Sequence, residues 1–117
     1  MTKTNKEIFD RKNKNVPRGL SIAHPIVAAK ACNAEIWDVE GNKYYDFAGG
    51  IGVQNFGHCH PKILKAIKDQ SEKLIHSAFQ VAIYEPYVEL AERLNALAPI
   101  AGDKKTVFFN SGAEAAE

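Results

Sequence analysis

The chain lacks the features that would place it in a membrane or on a secretory route. No apolar run approaches the ~20 residues needed to cross a bilayer, and none has the form of a secretory signal core. Cysteine is scarce, with Cys32 and Cys59 the only two in 117 residues. Their spacing builds no disulfide framework, which excludes a stapled secreted scaffold and makes a reducing cytoplasm the expected setting. An excess of one charge is lacking too. The 15 Lys and Arg stand against 14 Asp and Glu, a net +1 that gives no general pull toward nucleic acid. No internal repeat and no low-complexity stretch interrupts the sequence.

What is present is the composition of a folded chain. Hydrophobic residues make up 45% and charged residues 25%, which excludes disorder for most of the length and allows one domain at most. The first residues are locally basic (Lys3, Lys6, Arg11, Lys12, Lys14, Arg18). Glu7 and Asp10 among them argue against a transit peptide and for a solvated helix face.

Element patterns follow. Lys3 to Asn15 reads as a short surface helix around Ile8 and Phe9, ended by Pro17 and Gly19. Residues 20–34 are apolar but irregular, with Ala28–Cys32 as a third strand beside a hairpin. That hairpin is the alternating stretch Ala34 to Phe47, which turns at Glu40-Gly41-Asn42. Residues 48–57 carry four glycines, which suits close backbone approach to a ligand or a neighbouring subunit, or a plain loop. Pro61 opens a helix with the apolar stripe Ile63, Leu64, Ile67, Leu74 and Ile75. A second helix begins near Glu85-Pro86 and repeats Tyr87, Leu90, Leu94 and Leu97 until Pro99. Gly102-Asp103 then turns the chain into an expected strand, Thr106–Phe109.

Two constellations carry less chemistry than they suggest. His58-Cys59-His60 is too contiguous for a metal site, because adjacent ligands diverge and no second cluster completes the coordination. It reads as a turn ahead of the Pro61 helix, with His60 or Cys59 near its cap. His24 and His76 stand alone, as packing or surface residues. Asp46, beside Gly49-Gly50, has no evident partner for acid–base work.

The strongest local signal is the end of the chain, Thr106 to Glu117. It reads as a buried strand, a small-residue turn at Asn110-Ser111-Gly112-Ala113 and the first turn of a helix. The leading N–H groups of a helix have no partner within it, and the helix dipole favours negative charge there. Such a turn suits a phosphate, with the Ser111 hydroxyl beside it. A helix of about one turn cannot offset its own nucleation cost, so the chain reads as the N-terminal piece of a larger phosphate-cofactor enzyme.

Three ordered segments resemble one family. They are Ile36 to Val53 (Ile-Trp-Asp-Val-Glu-Gly-Asn-Lys-Tyr-Tyr-Asp-Phe-Ala-Gly-Gly-Ile-Gly-Val), Gly57-His-Cys-His-Pro-Lys62, and Asn110-Ser-Gly-Ala-Glu-Ala115. Together they are similar to the class III aminotransferases, from about Pro17 onward. Phe79 to Tyr87, with Gly50-Ile51, resembles the 4-aminobutyrate branch in particular; the ornithine and acetylornithine branches usually differ there.

The resemblance implies an α/β fold. A small N-terminal α/β segment precedes the start of the large domain of a fold type I, aspartate-aminotransferase-like, pyridoxal-phosphate-dependent transferase. Residues 1–60 would be the N-terminal helix and small antiparallel sheet with its glycine-rich loop. Residues 61–117 would hold the helices and first strand–turn–helix of the large domain.

The resemblance also implies pyridoxal 5′-phosphate as cofactor, its phosphate held by Ser111, Gly112 and Ala113, mostly through backbone N–H groups. Ala113 stands where many relatives carry Ser. Ile51 would line the substrate channel and Gln80 would lie in the active-site neighbourhood, or else serve as a polar residue at a helix start. In the family the Schiff-base lysine, the carboxylate on the pyridine nitrogen and the arginine for the substrate carboxylate lie later than Glu117, so no catalytic residue is assigned here. The implied activity is 4-aminobutyrate:2-oxoglutarate aminotransfer by a cytoplasmic homodimer. Its partners are an amino donor and a 2-oxo acid, with no nucleic acid and no membrane. Two other readings stay open: another ω-amino-acid transaminase, such as one for 5-aminovalerate, and a non-catalytic product of a truncated gene.

Overall fold

A capping box starts the first helix, α1 (Asn5–Asn15). The Thr4 hydroxyl accepts the Glu7 N–H at 3.2 Å, and the Glu7 carboxylate accepts the Thr4 N–H at 2.9 Å. Lys12 and Lys14 complement the dipole in its last turn, and the helix ends where Val16 turns extended before Pro17. The computed structural model describes residues 3–117, which pack as two units, one ending at Ser71 and one spanning Glu72–Glu117.

The first unit is built on a three-stranded antiparallel sheet in the order β1 (Ala28–Cys32), β2 (Glu35–Asp38), β3 (Lys43–Tyr45). All three are expected strands, β2 and β3 from the alternation of the hairpin and β1 as the strand beside it. The β1–β2 turn uses Asn33 at φ 50°, a left-handed position that Asn tolerates, and a bulge interrupts the pairing between Ala28 and Lys30. Trp37 pairs with Lys30 on one side and Lys43 on the other, and the Lys30 ammonium lies 4.8 Å from its ring centroid.

Asp38, at the end of β2, is 3% exposed and is the one buried residue among those described. One of its oxygens accepts the N–H groups of Glu40 and Asn42, which shapes the turn into β3. The other accepts from the side chains of Asn5 at 2.9 Å, Asn42 at 2.9 Å and Tyr44 at 3.1 Å. Burial pushes this carboxyl up, yet the hydrogen bonds from Asn42, Asn5 and Tyr44 prevail and hold it well below the ordinary carboxylate range. Asn5 also donates to Glu40 and accepts the Val27 N–H, so one residue at the start of α1 ties that helix to the sheet.

Beyond β3 comes α2 (Gly49–Gly52), a single turn, and then α3 (Pro61–Ser71). The His60 carbonyl accepts the N–H groups of Ile63 and Leu64, and His60 Nδ1 accepts that of Lys62, so His60 does cap α3. The helix stops short of the expected stripe, with Leu74 and Ile75 beyond it. Ser71 bonds back to the Lys68 carbonyl at 2.8 Å, a side-chain bond that competes with helix continuation.

The second unit holds α4 (Glu85–Leu97) and α5 (Gly112–Ala116). Its packing centre is aromatic. Phe79 stacks on Tyr87 at 4.1 Å, Tyr84 meets Phe79 edge-on at 5.4 Å, and Phe108 meets Tyr87 edge-on at 4.6 Å.

The segment expected as a buried strand, Thr106–Phe109, forms no strand and pairs with none among the described residues. One face does engage α4 and its C-terminal end. Lys104 donates to the Ala98 carbonyl, Thr106 donates to the Asn95 side chain, and the Phe108 N–H donates to the Tyr87 hydroxyl at 3.1 Å. The other face carries Val107 and Phe109, 64% and 55% exposed. A strand exists only with a neighbour to pair with, and here the ladder side is open.

Candidate functional site

Ser111, Gly112 and Ala113 lie together where the chain after Phe109 enters α5. Ser111 is the N-cap; its hydroxyl accepts the Glu114 N–H at 3.2 Å and donates to the Glu114 carboxylate at 2.9 Å. The N–H groups of Gly112 and Ala113 donate to nothing among the described residues, as expected for the first positions of a helix. A Cβ placed on Gly112 would meet no atom within 4 Å, so the approach to those two donors is open.

Gln80 sits in a turn five residues before α4, not at the start of that helix, and it is exposed without a hydrogen-bond partner among the described residues. It belongs to the same unit as Ser111–Ala113, next to the ring of Phe79.

Ile51 lies in the first unit, inside the glycine-rich stretch. Gly49, Gly50, Ile51 and Gly52 run at φ 51°, 61°, 62° and 78°, a consecutive left-handed turn. Glycine takes these angles freely, whereas a β-branched residue there is strained by about 1–3 kcal/mol. The turn lifts the Ile51 side chain into the open at 94% exposure.

The sequence reading found no partner for Asp46, and the structure corrects it: the partner is His58. Their side chains meet at 2.6 Å (Nε2 to Oδ2), with 20% and 8% of the His58 and Asp46 side chains exposed. The other Asp46 oxygen accepts the N–H groups of Ala48 at 3.1 Å and Gly49 at 2.9 Å. The bond to His58, then that from Gly49, hold the Asp46 carboxyl below its ordinary value against burial. His58 exchanges both backbone hydrogen bonds with Asn33, at 2.9 and 2.8 Å. Gly57 favours this approach, since a Cβ there would sit 3.0 Å from the Asn33 Cα and its φ of 75° strains any other residue. The available signal was position alone, an acid closing a strand and a histidine past the last glycine.

A family model for class III aminotransferases matches residues 18–117. The chain belongs to the class III aminotransferases. It is 50% identical over 117 residues to the 5-aminovalerate aminotransferase of Pseudomonas aeruginosa, covering all of this chain and 28% of that protein. It is 49% identical over 114 residues to the 4-aminobutyrate aminotransferase of Escherichia coli, covering 97% of this chain and 27% of that protein. Among solved structures, it matches an acetylornithine aminotransferase from Elizabethkingia anophelis with a TM-score of 0.85 and 30% identity, over 98% of this chain and 29% of that one. The chain thus spans somewhat over a quarter of the relatives it matches. The fold is the α/β fold of these pyridoxal-phosphate enzymes.

For a class III aminotransferase the turn at Ser111 is a fitting place for the cofactor phosphate. Free N–H groups, an open approach at Gly112 and a hydroxyl at the cap all suit an anion. One group opposes it, because the Glu114 carboxylate now bonds the same hydroxyl and must swing aside for a second anion. No helix among the described residues is long and apolar enough to cross a membrane.

Proposed function

We propose that this chain is the N-terminal part of an ω-amino-acid transaminase that moves the amino group of 4-aminobutyrate to 2-oxoglutarate. The observation that carries the reading is the pair of relatives at 50% and 49% identity, named for 5-aminovalerate and 4-aminobutyrate, two ω-amino acids one methylene apart. Pyridoxal phosphate, when bound, supplies the electron sink for the reaction. Ser111, Gly112 and Ala113 anchor its phosphate with two backbone donors and a hydroxyl. Ile51 supplies an apolar wall for the donor's methylenes, and Gln80 a polar group near the site. The domain division proposed is 1–60 for the small head and 61–117 for the opening of the large domain. We place the complete enzyme in the cytoplasm as a homodimer.

A specific observation favours a second donor, 5-aminovalerate, since identity to its aminotransferase is equally high. One methylene in an apolar pocket is worth about 10–200-fold in discrimination, so rates will separate the two. The test is a graft in which this chain replaces the matching 28% of the Pseudomonas aeruginosa enzyme. Steady-state kinetics with four- and five-carbon ω-amino donors and 2-oxoglutarate are then measured. A higher kcat/KM for 4-aminobutyrate than the parent shows supports the proposal. An unchanged preference for 5-aminovalerate favours the second donor. A folded graft without amino-group transfer from any ω-amino donor leaves the non-catalytic reading.

A further inference from the structure

The glycine-rich stretch between β3 and α3 is closed at both ends by one pair of side chains. Asp46 precedes it and His58 follows it, 12 residues on, and their 2.6 Å contact is largely shielded from water. Asp46 grips the turn itself through the N–H groups of Ala48 and Gly49, the residues that lead into the left-handed run. His58 is fixed from behind, since its backbone is doubly bonded to Asn33 at the β1–β2 turn. The closed path therefore runs from the rigid sheet, through His58 and Asp46, to the first N–H groups of α2.

At the middle of that path sits Ile51, a β-branched residue at φ 62° and ψ 54°. A residue in that region persists only where its surroundings over-determine it. The Ile51 side chain, nearly fully exposed, contributes nothing to holding itself there. The backbone does so through the bonds of Val53 and Gln54 to the Gly49 carbonyl and of Gly52 to that of Ala48. Those bonds begin at the residues that Asp46 holds.

We propose that Asp46 and His58 are positioning residues. They clamp the glycine-rich turn and so fix where Ile51 stands against the donor. The proposal rests on the reading of Ile51 as part of the substrate channel. A charge-assisted bond shielded from water is among the stronger single bonds a loop can have, and it ties the turn, whose other bonds are local to it, to the sheet.

The test uses the complete grafted enzyme and its variants His58→Ala, His58→Gln and Asp46→Asn, with His24→Ala as control. Two readouts are taken: cleavage within residues 47–57 under limited proteolysis, mapped by mass spectrometry, and the split of kcat from KM. His58→Ala should raise the cleavage rate in 47–57 by roughly tenfold or more, in proportion to the open population. It should also raise KM for the ω-amino donor by a similar factor, with cofactor affinity unchanged. His58→Gln, whose amide N–H can still reach Asp46, should recover much of both effects. Asp46→Asn should resemble His58→Ala. Cleavage and KM unchanged in His58→Ala would overturn the clamp, as would equal loss in the alanine and glutamine variants. An inactive graft whose loop still opens in His58→Ala counts against the transaminase reading while supporting the clamp, so the two failures are distinguishable.

Discussion

Ser111 has two tasks that compete at one atom. Its hydroxyl caps α5 through the Glu114 N–H and also holds the Glu114 carboxylate. Losing a serine cap costs about 1 kcal/mol, while the two backbone donors of Gly112 and Ala113 survive the change. Ser111→Ala in the grafted enzyme should therefore loosen the cofactor only several-fold, as read by absorbance titration. Glu114→Gln should act in the opposite direction. It removes a negative charge from the proposed phosphate position, and a few-fold tighter cofactor is expected. Looser binding in that variant would show that Glu114 supports the site rather than competes for it. At this scale the sequence was legible where chemistry is local. A small-residue turn before a helix announces its free N–H groups whatever lies elsewhere. The Asp46–His58 pair was not legible, because nothing in the identity of two residues so far apart says that a left-handed turn brings them back together.

Among the elements, the hairpin was readable from alternation and turn residues, α1 from its polar surface pattern and the Pro17 and Gly19 stop, and α4 from apolar spacing. The end of α3 was not, since the Ser71 back-bond to Lys68 overrides a stripe that continues to Ile75. Thr106–Phe109 kept the alternation of a strand, with its inner face on α4 and its C-terminal end, but pairing depends on a neighbour that local pattern does not reveal. The joint between α1 and the sheet carries a pH prediction. Asp38 has its pKa depressed on folding from an ordinary value of 3.8, so its contribution is complete above that value. It is lost as pH falls toward the folded-state value. Acid titration followed by Trp37 fluorescence should show the first unit loosening below about pH 4. Asp38→Asn should be less stable at neutral pH and should flatten that acid limb. An unchanged limb would mean that other carboxylates carry it. In the second unit, Tyr87→Phe leaves the Phe108 N–H without its acceptor. About 1–3 kcal/mol is at stake in a part-buried group, to be measured by chemical denaturation.

For the molecule as a whole, the distribution of apolar surface is the governing fact. No apolar side chain among the described residues is buried, and Phe47, Ile75 and Val81 are exposed at 98%, 88% and 86%. Each large side chain left in water forgoes about 1.5–3 kcal/mol of burial, against a typical stability of roughly 5–15 kcal/mol. The 117 residues in isolation should therefore be marginally stable and prone to associate through the open ladder side of Thr106–Phe109. Light scattering with dilute denaturation tests this, and a monomer with a cooperative, high-stability transition would refute it. We propose the turn at Ser111–Ala113 as the cofactor-phosphate site of a transaminase. Gly112→Asp tests it most directly, because the open space there admits a side chain without a clash while a carboxylate is set against the phosphate. Titration of the grafted enzyme with pyridoxal phosphate should show affinity weakened roughly tenfold or more, with unfolding midpoints of the cofactor-free proteins unchanged. Equal cofactor affinity in the wild-type and Gly112→Asp proteins would contradict the account.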